Sequence, residues 1–143
     1  GLAPPGAWIG VTGHWALAPV LLGLGVMTWV AGFDVVYACQ DVEFDRKEGL
    51  YSIPAVFGIK RSLEISSFLH ILAPGLFIAV GVVMSLSWLY YIGVGIAIFL
   101  LFRQHYLVSA DDLSKVGIAF FDVNSYLSIL LFVFSVLDLL LLH

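Results

Sequence analysis

The sequence predicts an all-α integral membrane protein with four transmembrane helices. Of its 143 residues, 62% are apolar and only 11% are charged, which is about half the charged fraction of an ordinary soluble domain. Three long stretches, residues 15–39, 65–102 and 116–142, contain no Lys or Arg and only three acidic residues. A helix crosses the hydrocarbon core of a bilayer with about 20 apolar residues, so each stretch is long enough to span it.

The middle stretch has 38 residues without a charge, which is too long for one span. We therefore expect two helices that fold back at Ser85-Leu86-Ser87. Helices are favoured throughout because backbone groups in lipid must be bonded within their own segment. The predicted boundaries are a tail at 1–14 and spans at about 15–40, 63–84, 88–104 and 117–142, within one transmembrane half-domain at 15–143.

The basic residues predict the orientation of these spans. Four spans place the segments 40–62 and 104–116 on one side of the membrane, and the hairpin and both chain ends on the other. Cytoplasmic loops are enriched in Lys and Arg, so we expect the first side to face the cytoplasm. The setting we expect is the inner membrane of a prokaryote. The six cations that lie on or beside the first side are Arg46, Lys47, Lys60, Arg61, Arg103 and Lys115.

An acidic segment, DVVYACQDVEFDRKEG, follows the first hydrophobic stretch at residues 34–49. On a regular helix, positions 34, 37, 41, 45 and 48 would share one face, because they are spaced by three or four residues. Asp41 and Asp45, one turn apart, could hold Mg²⁺ together with phosphate oxygens, which is how this ion commonly binds. A solvated helix end is the equally weighted alternative. The predicted stripe is Asp34, Tyr37, Asp41, Asp45 and Glu48.

Asp34 is harder to explain as a boundary residue. It lies nearly two turns inside the predicted span, where an ionised group costs about 2.5 to 3.5 kcal/mol on insertion scales. Such residues usually face a cavity or a partner. We therefore expect Asp34 either to orient the acceptor or to contact a neighbouring helix.

The run GFDVVYACQDVEFDRKEGLYSIPAVFG, residues 32–58, resembles the second aspartate-rich motif of UbiA-type intramembrane polyprenyltransferases, closest to the 4-hydroxybenzoate polyprenyltransferase branch. Flanking pieces at 4–13, 103–108 and 120–128 resemble the family too. The residues that match the motif are Tyr37, Ala38, Asp41, Asp45, Arg46, Gly49, Ser52, Pro54, Phe57 and Gly58.

The resemblance implies a reaction. A polyprenyl diphosphate bound through Mg²⁺ would lose its diphosphate, and an aromatic acid would capture the allylic cation in ubiquinone or menaquinone biosynthesis. The acceptor favoured is 4-hydroxybenzoate, and a naphthoate-type precursor is the next candidate. Membrane lipids should surround the chain, and no nucleic-acid partner is expected. By motif match the metal and catalytic residues are Asp41 and Asp45, with Arg46 and Lys47 at the diphosphate. The substrate-binding candidates are Asp34, Tyr37, Ser52 and Asn124.

Family members of this kind have nine spans and two aspartate-rich motifs, and this chain resembles spans six to nine. It contains no N-D-x-x-D-x-x-x-D, and the pair Asp111-Asp112 reads as a solvated loop. We therefore expect an amino-terminal half, in the same or another chain, to complete the site. The alternatives are a non-catalytic half-length subunit that binds lipid or quinone, and, less favoured, a transporter fragment with intramembrane acids as proton relays.

Other residues carry smaller expectations. Pro74 should kink its span and could open a gap beside a substrate channel, and Cys39 reads as a packed thiol. Asp122 lies near the cytoplasmic end of its span, and Asp138 is expected at the far interface. We expect His70 and Asn124 to contact neighbouring helices, and helices to approach closely at Gly23, Gly25 and Gly32. An aromatic belt on the outer side is expected from Trp15, Trp88, Tyr90 and Tyr91, and Lys60 and Arg61 should anchor the start of the next span. No zinc site is expected among His14, His105 and His143.

Overall fold

The computed structural model describes residues 1–110, 112–114 and 116–142, and for 118–120 the backbone alone. The expectations for Asp111, Lys115 and His143 fall outside the described residues. The described chain is all-α, as predicted, and its one β pairing is an isolated bridge between Ser109 and Asp112. The helices are α1 (Ala3–Thr12), α2 (Leu17–Ala38), α3 (Val42–Lys47), α4 (Ile53–Phe57), α5 (Ile59–Val83), α6 (Trp88–Leu107) and α7 (Val116–Leu141), with a 3₁₀ turn, Cys39–Asp41, between α2 and α3.

Four long helices lie within a few residues of the four predicted spans. Of the helices in the described residues, three are long and apolar enough to cross a membrane: Leu17–Lys47, Ile59–Val83 and Phe121–Leu141. Helix α6 is not among these three, and its last turns carry Arg103, Gln104 and His105. The count of four spans therefore stays a prediction. The tail at 1–14 contains the short helix α1, which has two prolines in its first turn and is followed by Gly13, a left-handed C-cap residue with φ of 76°.

The predicted hairpin joins α5 to α6. Ser85 adopts a left-handed conformation with φ of 55°. The N–H of Leu86 donates to the carbonyl of Gly81 at 2.8 Å and that of Ser85 to Val82 at 3.2 Å, the pair of bonds that closes a helix end in a Schellman motif. The chain thus turns back where the sequence predicts.

Packing groups the long helices into two pairs. Helix α2 packs mainly on α5, and α6 mainly on α7, with fewer contacts between α5 and α6. Close approach of α2 to α5 depends on glycine, as predicted. A Cβ at Gly25 would lie 2.6 Å from the Phe77 ring, and one at Gly32 would overlap the ring of His70. Small residues at such crossings let two helix backbones approach.

Two expectations for the end near the hairpin are wrong. Asp138, expected at an interface, is fully buried and accepts hydrogen bonds from the backbone N–H groups of Ser87 and Tyr90. Tyr90, expected in an aromatic belt, is 3% exposed, and its hydroxyl donates to the carbonyl of Phe77 at 2.8 Å. Both polar groups serve contacts between helices.

Candidate functional site in the acidic segment after helix α2

Helix α2 changes its winding where the acidic segment begins. Cys39, fully buried as predicted, donates its thiol hydrogen to the carbonyl of Val35 at 3.3 Å. The residues Cys39–Asp41 then form a 3₁₀ turn. Each residue of such a turn advances by about 120° instead of the roughly 100° of an α-helix. The helical register before and after the turn is therefore not continuous.

This change breaks the predicted acidic stripe. Asp45 is only 8% exposed, whereas Asp34, Tyr37 and Asp41 are exposed. Glu48 is exposed and terminates α3 as its C-cap residue. The expectation of one continuous face was wrong, because it assumed α-helical spacing throughout residues 34–48.

The two motif carboxylates suit a magnesium site that is completed by a ligand. Carboxylate oxygens are hard donors of the kind Mg²⁺ prefers, and this ion typically takes one or two of them together with water and phosphate oxygens. Within the described part of the chain, no group of three or more His, Cys, Asp or Glu residues is placed to hold a metal ion. Asp41 and Asp45 supply two hard oxygen donors, the number that Mg²⁺ commonly takes from a protein when phosphate oxygens and water complete its coordination.

Arg46 connects the acidic segment to the loop that follows it. Its Nε donates to the carbonyl of Ala55 at 3.2 Å, and a terminal guanidinium nitrogen lies 3.5 Å from the carbonyl of Pro54. These carbonyls belong to α4, a short helix whose C-terminal end attracts cations. The guanidinium thus ties α3 to α4. Lys47, its neighbour, is exposed.

The loop between α3 and α4 is shaped by its own sequence. Gly49 has φ of 70°, and the N–H of Leu50 donates to the carbonyl of Asp45 at 2.8 Å, which closes the turn. Ser52 then caps α4 by accepting a hydrogen bond from the N–H of Ala55 at 3.3 Å. Ser52, predicted to bind substrate, has at least this structural role.

The remaining site candidates lie on different elements. Asp34 and Tyr37 belong to the exposed side of α2, and Asp122 is exposed at the start of α7. Asn124 is half-buried on α7, and its backbone carbonyl accepts a hydrogen bond from the Ser128 hydroxyl at 2.8 Å. Helix contact through the Asn124 side chain stays a prediction.

A histidine pair was missed by the sequence interpretation. Nδ1 of His70, on α5, lies 2.9 Å from Nε2 of His105, on α6, and Nε2 of His70 lies 3.0 Å from the carbonyl oxygen of Trp29, on α2. Ser66 adds a hydrogen bond to the carbonyl of Gly32 at 2.8 Å. The helix contact expected of His70 is confirmed. In the sequence, His105 lies beside a predicted span like His14 and His143, and its separation of 35 residues from His70 gives no sign of the pair.

The profile of the UbiA prenyltransferase family matches residues 1–136 of the chain. The chain belongs to the UbiA prenyltransferase family. This membership and the three apolar helices make it an integral membrane protein. The resemblance inferred from residues 32–58 is thereby confirmed.

Two relatives show how much of a family member is present. A 4-hydroxybenzoate octaprenyltransferase of Hydrogenovibrio crunogenus is 31% identical over 150 residues, which cover 95% of this UbiA chain and 52% of the relative. A protein of the same name from Francisella tularensis subsp. novicida is 27% identical over 117 residues, covering 80% of the chain and 40% of the relative. The chain spans about half the length of these relatives or less. No solved structure matches it.

Proposed function

We propose that this UbiA chain supplies the second metal and diphosphate motif of a magnesium-dependent aromatic prenyltransferase. The reaction is the transfer of a polyprenyl group from its diphosphate to an aromatic acid of the 4-hydroxybenzoate type, in quinone biosynthesis. The observation that carries the proposal is the pair Asp41 and Asp45 beside the end of the apolar helix α2, in a chain whose relatives are named 4-hydroxybenzoate octaprenyltransferases.

The two carboxylates have different surroundings, which suits different contributions. Asp45 is buried in the packing of the short helices and is held in place by it. Asp41 is exposed and can adjust its position to an arriving headgroup. Magnesium, when bound, supplies positive charge that stabilises the leaving diphosphate. Both carboxylates would bind that ion together with diphosphate oxygens.

The basic side chains divide between contact and positioning. The exposed ammonium of Lys47 is available to the diphosphate. Arg46 acts through the loop, because its guanidinium bonds to carbonyls of α4. Asp34 and Tyr37 lie one to two turns before Asp41, on the exposed side of α2. The acceptor or the first isoprene units would contact them there.

The remaining half of the site would come from an amino-terminal half, in the same or another chain. The support for this part is the length of the match, since the aligned region covers 52% or less of each of the two relatives described. The positively charged residues favour a cytoplasmic orientation of the acidic segment. A polyprenyl tail would lie against the apolar helices, whose packing excludes water from a reactive carbocation.

Substitution of the two aspartates in the intact protein tests the proposal. Asp41→Asn and Asp45→Asn remove a charge but keep the size of the side chain. Each should reduce transfer of the polyprenyl group to 4-hydroxybenzoate by about a hundredfold or more, the size of effect seen when an electrostatic contact in a transition state is removed. Glu43→Gln is the matched control, because Glu43 is exposed on the same short helix and lies outside the motif. Undiminished turnover in both aspartate variants would refute the assignment.

The half-length coverage also favours a second candidate, a non-catalytic subunit that binds lipid or quinone. The enzyme and the subunit differ in whether their activity depends on magnesium. An enzyme should convert polyprenyl diphosphate and the aromatic acid only when magnesium is added, and chelation should abolish turnover. Saturable quinone binding that is indifferent to chelation, with no product from any aromatic acid, would establish the subunit instead.

A further inference from the structure

A cavity of about 540 Å³ lies between α5 and α6. Pro74 is among the residues that line it, and a kink of α5 at this proline stays a prediction. Its walls are largely apolar and include Ile71, Ile98 and Phe102. Ile71 is 74% exposed and Phe102 73% exposed, so the cavity opens at the outer surface of the helix pair. Its volume is typical of sites for small molecules.

Three polar side chains, Ser67, His70 and His105, also line this cavity. They form one hydrogen-bonded chain. Nδ1 of His105 lies 3.2 Å from the Ser67 hydroxyl, and Nε2 of the same ring lies 2.9 Å from Nδ1 of His70. His70 is 4% exposed and is anchored on the carbonyl of Trp29. The arrangement is rigid at its inner end and reaches the cavity at its outer end.

The anchoring carbonyl fixes the direction of this chain. A carbonyl only accepts, so Nε2 of His70 carries its hydrogen, and Nδ1 of the neutral ring is an acceptor. His105 must then donate from Nε2, which leaves its own Nδ1 as an acceptor. The histidine pair therefore presents one acceptor nitrogen at its outer end. The short distance between the rings also fits a shared hydrogen bond better than a shared metal, because the two ring nitrogens point at each other.

Ser67 is a weak partner for that acceptor. Its hydroxyl lies 3.2 Å from Nδ1 of His105 but only 2.8 Å from the carbonyl of Leu63, one turn earlier on α5. The hydroxyl has a single hydrogen, so it satisfies one of these acceptors at a time. When it bonds to Leu63, the His105 nitrogen is left for a donor from another molecule. A half-buried acceptor of this kind gains from a new partner, since an unpaired polar group in an apolar site is costly.

We propose that the α5–α6 cavity binds a lipid whose hydroxyl group donates to Nδ1 of His105 while its apolar chain lies against Ile71, Ile98 and Phe102. A hydroxyl is required because the His105 nitrogen, which Ser67 releases when it bonds to Leu63, is an acceptor. The apolar chain is required because the walls are hydrocarbon and the cavity opens between membrane helices. Among the residues that the structure describes, no Lys, Arg, Asp or Glu lines the cavity, so a diphosphate does not belong there. The proposal stands independently of the transferase reaction.

Two probes that differ in one hydrogen-bond donor test this assignment. The intact protein that carries this chain is reconstituted in phosphatidylcholine nanodiscs and titrated with 4-nonylphenol or with 4-nonylanisole, its methyl ether. Binding is counted as the part displaced by excess unlabelled probe, which removes simple partition into lipid. We expect one saturable site for the phenol and an affinity for the ether that is weaker by about tenfold, the value of one hydrogen bond in an apolar site.

Variants separate this binding from a structural role of the same residues. His105→Leu removes the acceptor and should lower the affinity for the phenol to that of the ether. Ser67→Ala should keep or raise the affinity for the phenol, because it removes the competing donor. A loss of binding in Ser67→Ala equal to that in His105→Leu would overturn the proposal.

The unmodified protein alone can also overturn the assignment. Equal saturable binding of phenol and ether would mean that ordinary lipid fills the groove. The absence of any saturable site for either probe would mean that another segment of protein fills it. These two outcomes need no variant, so they hold even if His105→Leu fails to fold.

Discussion

Oδ1 of Asp138, on α7, accepts a hydrogen bond from the backbone N–H of Tyr90, on α6, at 3.0 Å. Its second oxygen accepts from the N–H of Ser87 at 2.9 Å. The first N–H groups of a helix have no partner within the helix and carry partial positive charge. A carboxylate from the next helix therefore caps α6 and joins it to α7 at the hairpin end.

Removal of this cap should destabilise the protein. Asp138→Ala leaves backbone N–H groups without an acceptor in a buried place, for which we expect a cost of about 1–3 kcal/mol. Asp138→Asn should cost less, because the amide oxygen still accepts one bond. The control is Asp122→Ala, since Asp122 is exposed at the other end of the same helix. Thermal unfolding in detergent ranks the three variants by stability. Equal stability of the Asp138 and Asp122 variants would contradict the capping role.

Alanine at two glycines should have effects of opposite sign. At Gly32 a methyl group would overlap the His70 ring, so Gly32→Ala should force α2 and α5 apart and cost about 1–3 kcal/mol. At Gly95 nothing lies within 4 Å of the added Cβ. Gly95→Ala should therefore stabilise α6, by up to about 1 kcal/mol from helix propensity. Unfolding midpoints measured side by side test this, and a tolerant Gly32 would show that the α2–α5 contact is looser than described.

The segment order of the fold could be predicted because it depends on local properties. Apolar runs and flanking charges set the limits of α2, α5, α6 and α7, and the Ser85-Leu86-Ser87 turn follows from the length of the middle run. The pairing of helices depends on which faces meet, and a single sequence does not show this. Tyr90 illustrates the difference, because its position at a helix start suggested a membrane belt while its hydroxyl reaches the Phe77 carbonyl across the hairpin.

In the candidate site, too, local features could be predicted from the sequence and contacts between helices could not. The residue types and spacing of Asp41 and Asp45 indicated a motif, whereas the 3₁₀ turn at Cys39–Asp41 altered their exposure. The histidine pair could not be predicted, since it joins residues 70 and 105 through the relative depth of two helices. Sequence periodicity places a residue on a face of its own helix and leaves its position against another helix undetermined.

Arg46 and Lys47, although adjacent, should differ in what they support. Arg46→Ala removes the bonds from α3 to the carbonyls of α4, so the loop between them should open more often. We expect chymotrypsin to cleave after Tyr51, which is 94% exposed, about two to five times faster, corresponding to roughly 0.5–1 kcal/mol of lost local stability. Lys47→Ala should leave this rate unchanged while weakening polyprenyl diphosphate binding. Identical cleavage in both variants would remove the positioning role assigned to Arg46.

The orientation of the membrane helices can be tested by thiol labelling. The one native cysteine, Cys39, is fully buried, and Cys39→Ala provides a thiol-free background. In that background, Glu43→Cys places a thiol on the exposed side of α3, and Ser85→Cys places one in the exposed hairpin. If Lys and Arg mark the cytoplasmic side, a membrane-impermeant maleimide added to intact cells should label the hairpin thiol alone. Permeabilised cells should give labelling at both positions. Labelling of the Glu43→Cys protein in intact cells would reverse the assigned orientation, and with it the side from which the diphosphate reaches Asp41 and Asp45.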